Sequence, residues 1–271
     1  MARIFDHSNM NMARLSATII TFNEEKHIGR CIESLLPVAD EIIVVDSLSA
    51  DRTKEICLGH GVTFIEQPFL GYMQQKNMAL DKATHRHVLS LDADEALSEE
   101  LARSILAEKE KDFPAAGYTM NRYNYYCGRW VRHGTYYPDR KLRLVDTQKG
   151  RWGVQNPHER MVVQEGETIA HLKGDLLHYT YQSIEEHNRQ MDRFSTIAAK
   201  TLFDRGRKPS YFSMIINPAW AFFKGYFLKL GFLDGFAGFM IARFTAIQSF
   251  LKYAKLIRLH EEARRSDAGK F

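Results

Sequence analysis

Glu41-Ile42-Ile43-Val44-Val45-Asp46 decides the fold. Four β-branched residues in succession, with no polar residue between them, describe a strand covered on both faces, as in the interior of a parallel sheet. Working outward, Leu15 to Ile20 is a short apolar run, and Glu25 to Leu36 follows with helical spacing through Ile28, Ile32 and Leu35. On the other side, Asp51 reads as the N-cap of a helix through Leu58. Val62 to Ile65 is a third strand and Tyr72 to Ala83 a third helix. His87 to Leu91 is a fourth strand running into Asp92-Ala93-Asp94-Glu95, and Ser98 opens a helix over Glu99 to Glu108. Strand and helix alternate throughout, which implies an α/β fold built on a mostly parallel sheet.

Beyond Ala116 the pattern changes. Gly117 to Tyr126 and Arg140 to Val145 read as strands separated by a Gly-, Arg- and Tyr-rich loop, and Trp152 to His158 reads as a further loop. Ser183-Ile184-Glu185-Glu186 is a capping box opening a helix to about Asp204. Pro209 and Pro218 punctuate the approach to an aromatic helical tail over Trp220 to Leu259. The expected division is an extension (1–13), a catalytic domain (14–208) and an amphipathic tail (209–271).

The 271 residues carry a net charge of +4, and the charge is uneven. Residues 200–271 contain 13 Lys and Arg against 5 Asp and Glu, a net of +8, which leaves 24 against 28, or −4, for the rest. An acidic body with a basic, aromatic tail points to an anionic surface. The tail is too apolar for nucleic acid and its charges interrupt every stretch of bilayer length, so a peripheral membrane face is expected. Packing on the catalytic domain and a homodimer contact are the competing readings. The cysteines, Cys31, Cys57 and Cys127, show no paired spacing, which argues against a zinc site or disulfide framework and fits a cytoplasmic setting. Met1 to Arg14 has no apolar core and makes a poor secretory signal.

Polar clusters close the predicted strands at Thr21-Phe22-Asn23-Glu24, Asp46-Ser47 and Asp92-Ala93-Asp94-Glu95. Ligands of open α/β sheets bind beyond the strands' carboxyl ends. Asp92 and Asp94, at i and i+2 of an extended segment, would address one ligand from the same side. Mg²⁺ or Mn²⁺ bridging such carboxylates to a diphosphate fits the preference of these ions for hard oxygens.

The runs Thr18-Ile19-Ile20-Thr21-Phe22-Asn23-Glu24-Glu25, Ile43-Val44-Val45-Asp46-Ser47, Gln75-Lys76-Asn77 and Leu91-Asp92-Ala93-Asp94-Glu95 resemble a family 2 glycosyltransferase in order and spacing. The resemblance implies the GT-A fold and inverting transfer from a nucleotide sugar. It places Thr21, Asn23 and Glu24 around the nucleoside, Asp46 on the uracil, Asp92 on the ribose or metal, and Asp94 on the metal. The family's usual glycine and threonine are replaced by Leu48 and Ala50, which points to a differently shaped loop after Asp46. Tyr137-Pro138-Asp139-Arg140-Lys141-Leu142-Arg143-Leu144, Pro157-His158-Glu159 and Gly231-Phe232-Leu233-Asp234-Gly235 are similar to the lipopolysaccharide core β-1,4-glucosyltransferase branch.

An inverting transfer needs a base for the acceptor hydroxyl. Glu159 is the candidate, with His158 orienting beside it. His178, late in the chain, stands where GT-A enzymes often supply a further metal ligand. Lys76 and Arg143 suit the diphosphate. The expected reaction moves a hexose, glucose first, from a UDP-sugar to a lipid-linked saccharide of the inner core, with Mg²⁺ or Mn²⁺. A polyprenyl-phosphate glycosyltransferase and a nucleotide-sugar-binding module without turnover are the alternatives.

Overall fold

The computed structural model describes residues 13–155 and 158–268, so the expected extension lies outside the described residues except for its last member. In chain order the elements begin with β1 (Leu15–Thr21), α1 (Ile28–Leu35), β2 (Glu41–Asp46), α2 (Thr53–Gly59), β3 (Thr63–Glu66) and α3 (Tyr72–Lys82). Next come β4 (His87–Asp92), β5 (Glu95–Leu97), α4 (Glu99–Lys109), β6 (Gly117–Tyr126), β7 (Arg129–Val131) and β8 (Asp139–Asp146). They end with β9 (Gly150–Gln155), β10 (His158–Val163), β11 (Ile169–Tyr181), α5 (Ile184–Asp204), α6 (Tyr211–Phe223) and α7 (Gly235–Ala268). The chain divides into two compact units, Met1–Arg122 with Asp139–Tyr179, and Tyr123–Pro138 with Thr180–Phe271. The boundary drawn at 208/209 falls within the second unit, between α5 and α6.

In the first unit, β3, β2, β1 and β4 lie side by side and parallel, and β4 then pairs antiparallel with β8. The order continues through β6, β11 and β5. β2 is buried from Ile42 to Asp46, as its unbroken β-branched run requires. The apolar stripe of α1 (Ile28, Cys31, Ile32, Leu35) packs with Leu15, Ala17 and Ile19 of β1 in the main core. α1 starts at Ile28 rather than Glu25. Asp51 lies one residue outside the N-cap of α2, yet its Oδ1 still accepts the Thr53 N–H at 3.0 Å, while Oδ2 accepts the Glu25 N–H. Ser98 caps α4 as expected, accepting the Leu101 N–H.

Three features escape the sequence pattern. β9 and β10 form a hairpin where a loop was expected. β11 buries few of its side chains and so shows no apolar run; Gly174 (φ 89) lets it pass α4, where a Cβ would stand 2.3 Å from the Leu101 nitrogen. β5 is a strand of three residues, too short to carry a pattern.

In the second unit, α5 ends at Asp204 and its Ser183 cap accepts the Glu186 N–H, as the capping box predicts. The tail is not one helical stretch. α6 runs through Pro218 into a π-helical turn (Lys224–Leu228), the chain bends at Leu230 (φ 58), and a 3₁₀ turn (Gly231–Asp234) leads into α7. The segments Tyr211–Leu228 and Gly231–Arg265 meet at 72°. By length and composition this bent pair could form a broken membrane span, whereas no single described helix is long and apolar enough to cross a bilayer. The Gly231–Gly235 motif has a structural cause. A Cβ on Gly238 would stand 1.8 Å from the Gly231 oxygen, and buried Asp234 accepts the backbone N–H groups of Arg132 and His133.

Candidate functional site

The parallel strands end level with one another. Thr21 pairs in register with Asp46, Asp46 with Glu66, and Ile20 with Asp92. The polar clusters of the sequence therefore share one edge of the sheet, where an open α/β fold receives its ligand.

On the β1–β2 side, side chains knit two loops together. The Asn23 N–H donates to Ser49 Oγ at 2.8 Å, and Asn23 Oδ1 accepts the Ala50 N–H at 2.8 Å. The Ser49 N–H donates to buried Asp46 at 2.7 Å, and the Ser49 hydroxyl donates to the same carboxylate. Glu24 accepts on its carboxylate from His27 at 2.8 Å, and its own N–H donates to Thr53. Leu48 adopts φ 64, the left-handed conformation that favours glycine. The loop thus takes a shape open to the family's glycine, with a leucine that pays about 1–2 kcal/mol of local strain. Below this loop, the buried Thr21 hydroxyl has no partner among the described residues. Neither does Oε1 of buried Gln75, whose Nε2 reaches Ser47 Oγ at 3.4 Å.

On the β4 side the geometry differs from expectation. β4 stops at Asp92, and Ala93-Asp94 form a tight turn into β5. Alternation along a strand therefore does not apply, and the two carboxylates meet different partners. Asp92 lies between Lys76 Nζ (2.8 Å) and Arg143 Nη2 (2.8 Å). Arg143 also reaches Glu95 at 2.7 Å, and Glu95 accepts the Asp92 N–H at 3.0 Å. Arg122 approaches Glu95 at 3.5 Å and binds Asp139 at 2.7 Å. Burial works to raise the Asp92 pKa, but Lys76 and Arg143 outweigh it and hold the group well below the usual carboxylate range. Burial opposes the Arg143 charge too, and Glu95 and Asp92 outweigh it, so the guanidinium stays protonated.

Trp152 covers this network, its ring centre 4.4 Å from the Lys76 ammonium and 5.5 Å from the Arg143 guanidinium. Asn77 holds the tryptophan backbone from both sides, at 2.9 and 3.1 Å. Arg143 Nε and Trp152 Nε1 are buried donors without a partner among the described residues. Buried donors left unmade are costly, and a ligand oxygen would satisfy them.

Asp94 faces His178, with Oδ2 and Nε2 3.2 Å apart. β11 delivers the histidine by pairing His178 with Glu95, and the Tyr179 N–H donates to the Asp94 carbonyl at 3.0 Å. Burial pushes the Asp94 pKa up, and His178 more than offsets it, leaving it lowered. A carboxylate and an imidazole side by side are a donor pair that Mn²⁺ or Mg²⁺ accepts. Among the described residues no group of three or more His, Cys, Asp and Glu is placed to cage an ion. The pair therefore fits an ion that completes its shell with substrate phosphate and water, the usual manner for these ions.

Glu159 is half-buried on β10, opposite Val154 of β9. Among the described residues no hydrogen bond or ion pair joins it to Asp92, Asp94 or His178. Residues 156–157 and the His158 side chain lie outside the described set. The structure thus gathers Lys76, Asp92 and Arg143, and separately Asp94 and His178. Sequence reasoning missed Glu95 and Arg122 as members of the site, and placed Trp152 only in a loop that could face a sugar rather than over Lys76 and Arg143. A signal for Glu95 was present: it is followed directly by the apolar Ala96-Leu97 of a buried strand, and a carboxylate drawn into such surroundings needs a cation beside it.

Residues 16–167 match the family model described as Glycosyl transferase family 2. The chain is 32% identical to the lipopolysaccharide core biosynthesis glycosyltransferase LpsC of Rhizobium meliloti, over 91% of this chain and 93% of that one. It is also 32% identical to an uncharacterized glycosyltransferase of Rickettsia typhi, over 93% and 90% of the two chains. Among solved structures, the mannosyltransferase PcManGT of Pyrobaculum calidifontis, in complex with GDP-Man and Mn²⁺, aligns at a TM-score of 0.53. It has 14% identity and covers 91% of this chain and 87% of its own, a likeness of fold.

Proposed function

The chain belongs to glycosyl transferase family 2 and has the GT-A fold, and from that premise we propose an inverting transfer of a hexose, glucose first, from a UDP-sugar to a lipid-linked saccharide of the lipopolysaccharide core. The observation that carries the reading is the Lys76–Asp92–Arg143–Glu95 network under Trp152, with buried N–H donors left open on Arg143 and Trp152. A fixed cationic pair beneath an apolar lid is suited to a diphosphate, because its charges are already oriented before the donor arrives. Thr21, Asn23, Glu24 and Asp46 line the nucleoside side, where the Thr21 hydroxyl and Gln75 carbonyl await partners. The name of the Rhizobium relative supports the core-saccharide acceptor.

Asp94 and His178 would hold Mg²⁺ or Mn²⁺, which when bound neutralises charge on the departing diphosphate. Asp92 then orients Lys76 and Arg143 rather than supplying the main metal contact. Glu159 takes the proton of the acceptor hydroxyl. The enzyme works at the inner face of the cell membrane, held there by the second unit. In support of that placement, Phe212, Ile216 and Trp220 of α6 are 73, 46 and 54% exposed and follow one helical stripe.

The test is release of UDP in a donor screen, with and without Mn²⁺. Transfer from UDP-glucose is expected from the native protein, and none from Asp94→Ala, whose fold should be intact by circular dichroism. Full turnover in that variant or in excess chelator would remove the metal assignment, and preference for another nucleotide sugar would correct the donor.

A further inference from the structure

The turn between α5 and α6 holds a cleft of about 610 Å³ that the proposed transfer does not use. Its walls include Leu202, Arg205, Arg207, Lys208, Ser213 and Tyr253, with no carboxylate among the described residues that line it. Arg205, Arg207 and Lys208 stand against the single carboxylate of Asp204 in this exposed turn, so its net charge is positive and attracts an anion. The turn is anchored: the Arg207 carbonyl meets His260 Nε2 of α7 at 3.0 Å. Lys252 lies over the Tyr253 ring at 4.6 Å, which adds a further cation beside one wall.

The cleft opens where α6 begins. There Tyr211, Phe212 and Ile215 are 65, 73 and 64% exposed, and α6 buries none of its residues. A small aqueous anion would leave this apolar face wet. A ligand that joins a phosphate to acyl chains satisfies both features at once. We infer that the cleft seats the headgroup phosphate of an anionic phospholipid while the exposed face of α6 lies among its acyl chains. The inference rests on the membrane-facing reading of the second unit and is independent of the sugar donor.

The experiment uses the full-length protein and dihexanoyl phosphatidic acid below its micelle concentration, with binding followed by calorimetry. Dihexanoyl phosphatidylcholine and inorganic phosphate are the controls. Phosphatidic acid should bind and the controls should not. The triple variant Arg205→Ala, Arg207→Ala, Lys208→Ala should lose at least about fivefold in affinity, the share of one cation beside the phosphate. Equal binding of inorganic phosphate would overturn the lipid assignment, as would an unchanged affinity in the triple variant. Flotation with phosphatidylcholine vesicles, with and without phosphatidic acid, separates the two levels of the reading. A triple variant that still floats on both but loses its preference for acidic vesicles supports the cleft. Native protein that floats on both equally while ignoring the short-chain lipid sinks the cleft alone. Native protein that floats on neither removes the membrane reading and the cleft with it.

Discussion

The two units invert the usual rule of what lies inside and outside, each in its own way. In the first unit the charges are inside: Lys76, Glu95 and Arg143 are 6, 1 and 4% exposed. In the second the large apolar side chains are outside, led by Phe212 at 73%. Buried charges persist only while each is paired, so every member of the first network depends on the others. Exposed apolar side chains owe nothing to their neighbours, so changing them leaves the fold as it was. Chemistry and stability are therefore coupled in one region and separable in the other.

The largest expected effect tests where that coupling stops. Glu159 lies on the β9–β10 hairpin, outside the ion-paired network, so Glu159→Gln should lower kcat by about 10²–10⁴-fold. UDP-sugar affinity and the unfolding midpoint should stay unchanged. A normal kcat would give the base role to another group and favour an acceptor phosphate that needs no base.

Inside the network both properties should move together. Glu95→Ala leaves Arg143 with one carboxylate instead of two and removes the acceptor of the Asp92 N–H. Urea denaturation should show a loss of about 3–5 kcal/mol, with activity falling in step. A stable but inactive variant would show that the network serves the substrate alone.

The second unit has a buried histidine against which to calibrate. His187 lies between Tyr181 and Phe244, ring centres 4.3 and 4.2 Å away, with Nδ1 3.0 Å from the Tyr126 hydroxyl. Burial lowers its pKa from 6.5 to about 4. Between those values the unfolded chain takes up a proton that the folded one refuses, so stability falls as pH drops from 6.5 towards 4. The loss is on the order of 2 kcal/mol after allowance for solvent screening. Thermal melts of His187→Phe should lack that part of the slope; an unchanged slope would assign the acid sensitivity elsewhere.

The smallest effect is expected on the outer face. Phe212→Ser with Trp220→Ser should shift stability by no more than about 0.5 kcal/mol and yet abolish flotation with vesicles. A loss of several kcal/mol would show instead that this face is covered within the protein.

Much of this was legible before any coordinates. The β-branched run at 42–45, the apolar spacing of 28–35 and the serine caps at 98 and 183 each rest on interactions within a few residues, and all are seen. Asp46 and Asp92 could be placed on one edge because parallel strands joined by helices must end on the same side. β11 could not be read, since few of its side chains face the core and apolar periodicity is the only local trace a strand leaves. The partners of the acidic turn were hidden for the same reason. Lys76, Arg143 and His178 come from α3, β8 and β11, and nothing in a local window records which cation will stand 2.8 Å from Asp92.

By itself, then, the sequence determined the α/β class, the polar clusters that close the parallel strands and the family, because these follow from patterns of short range. Tertiary structure alone decided that Asp92 is held by Lys76 and Arg143 while Asp94 turns to His178, and that the tail breaks at Leu230. Those outcomes depend on which distant elements meet at one edge, and on how a buried charge or a close backbone contact is satisfied once they do.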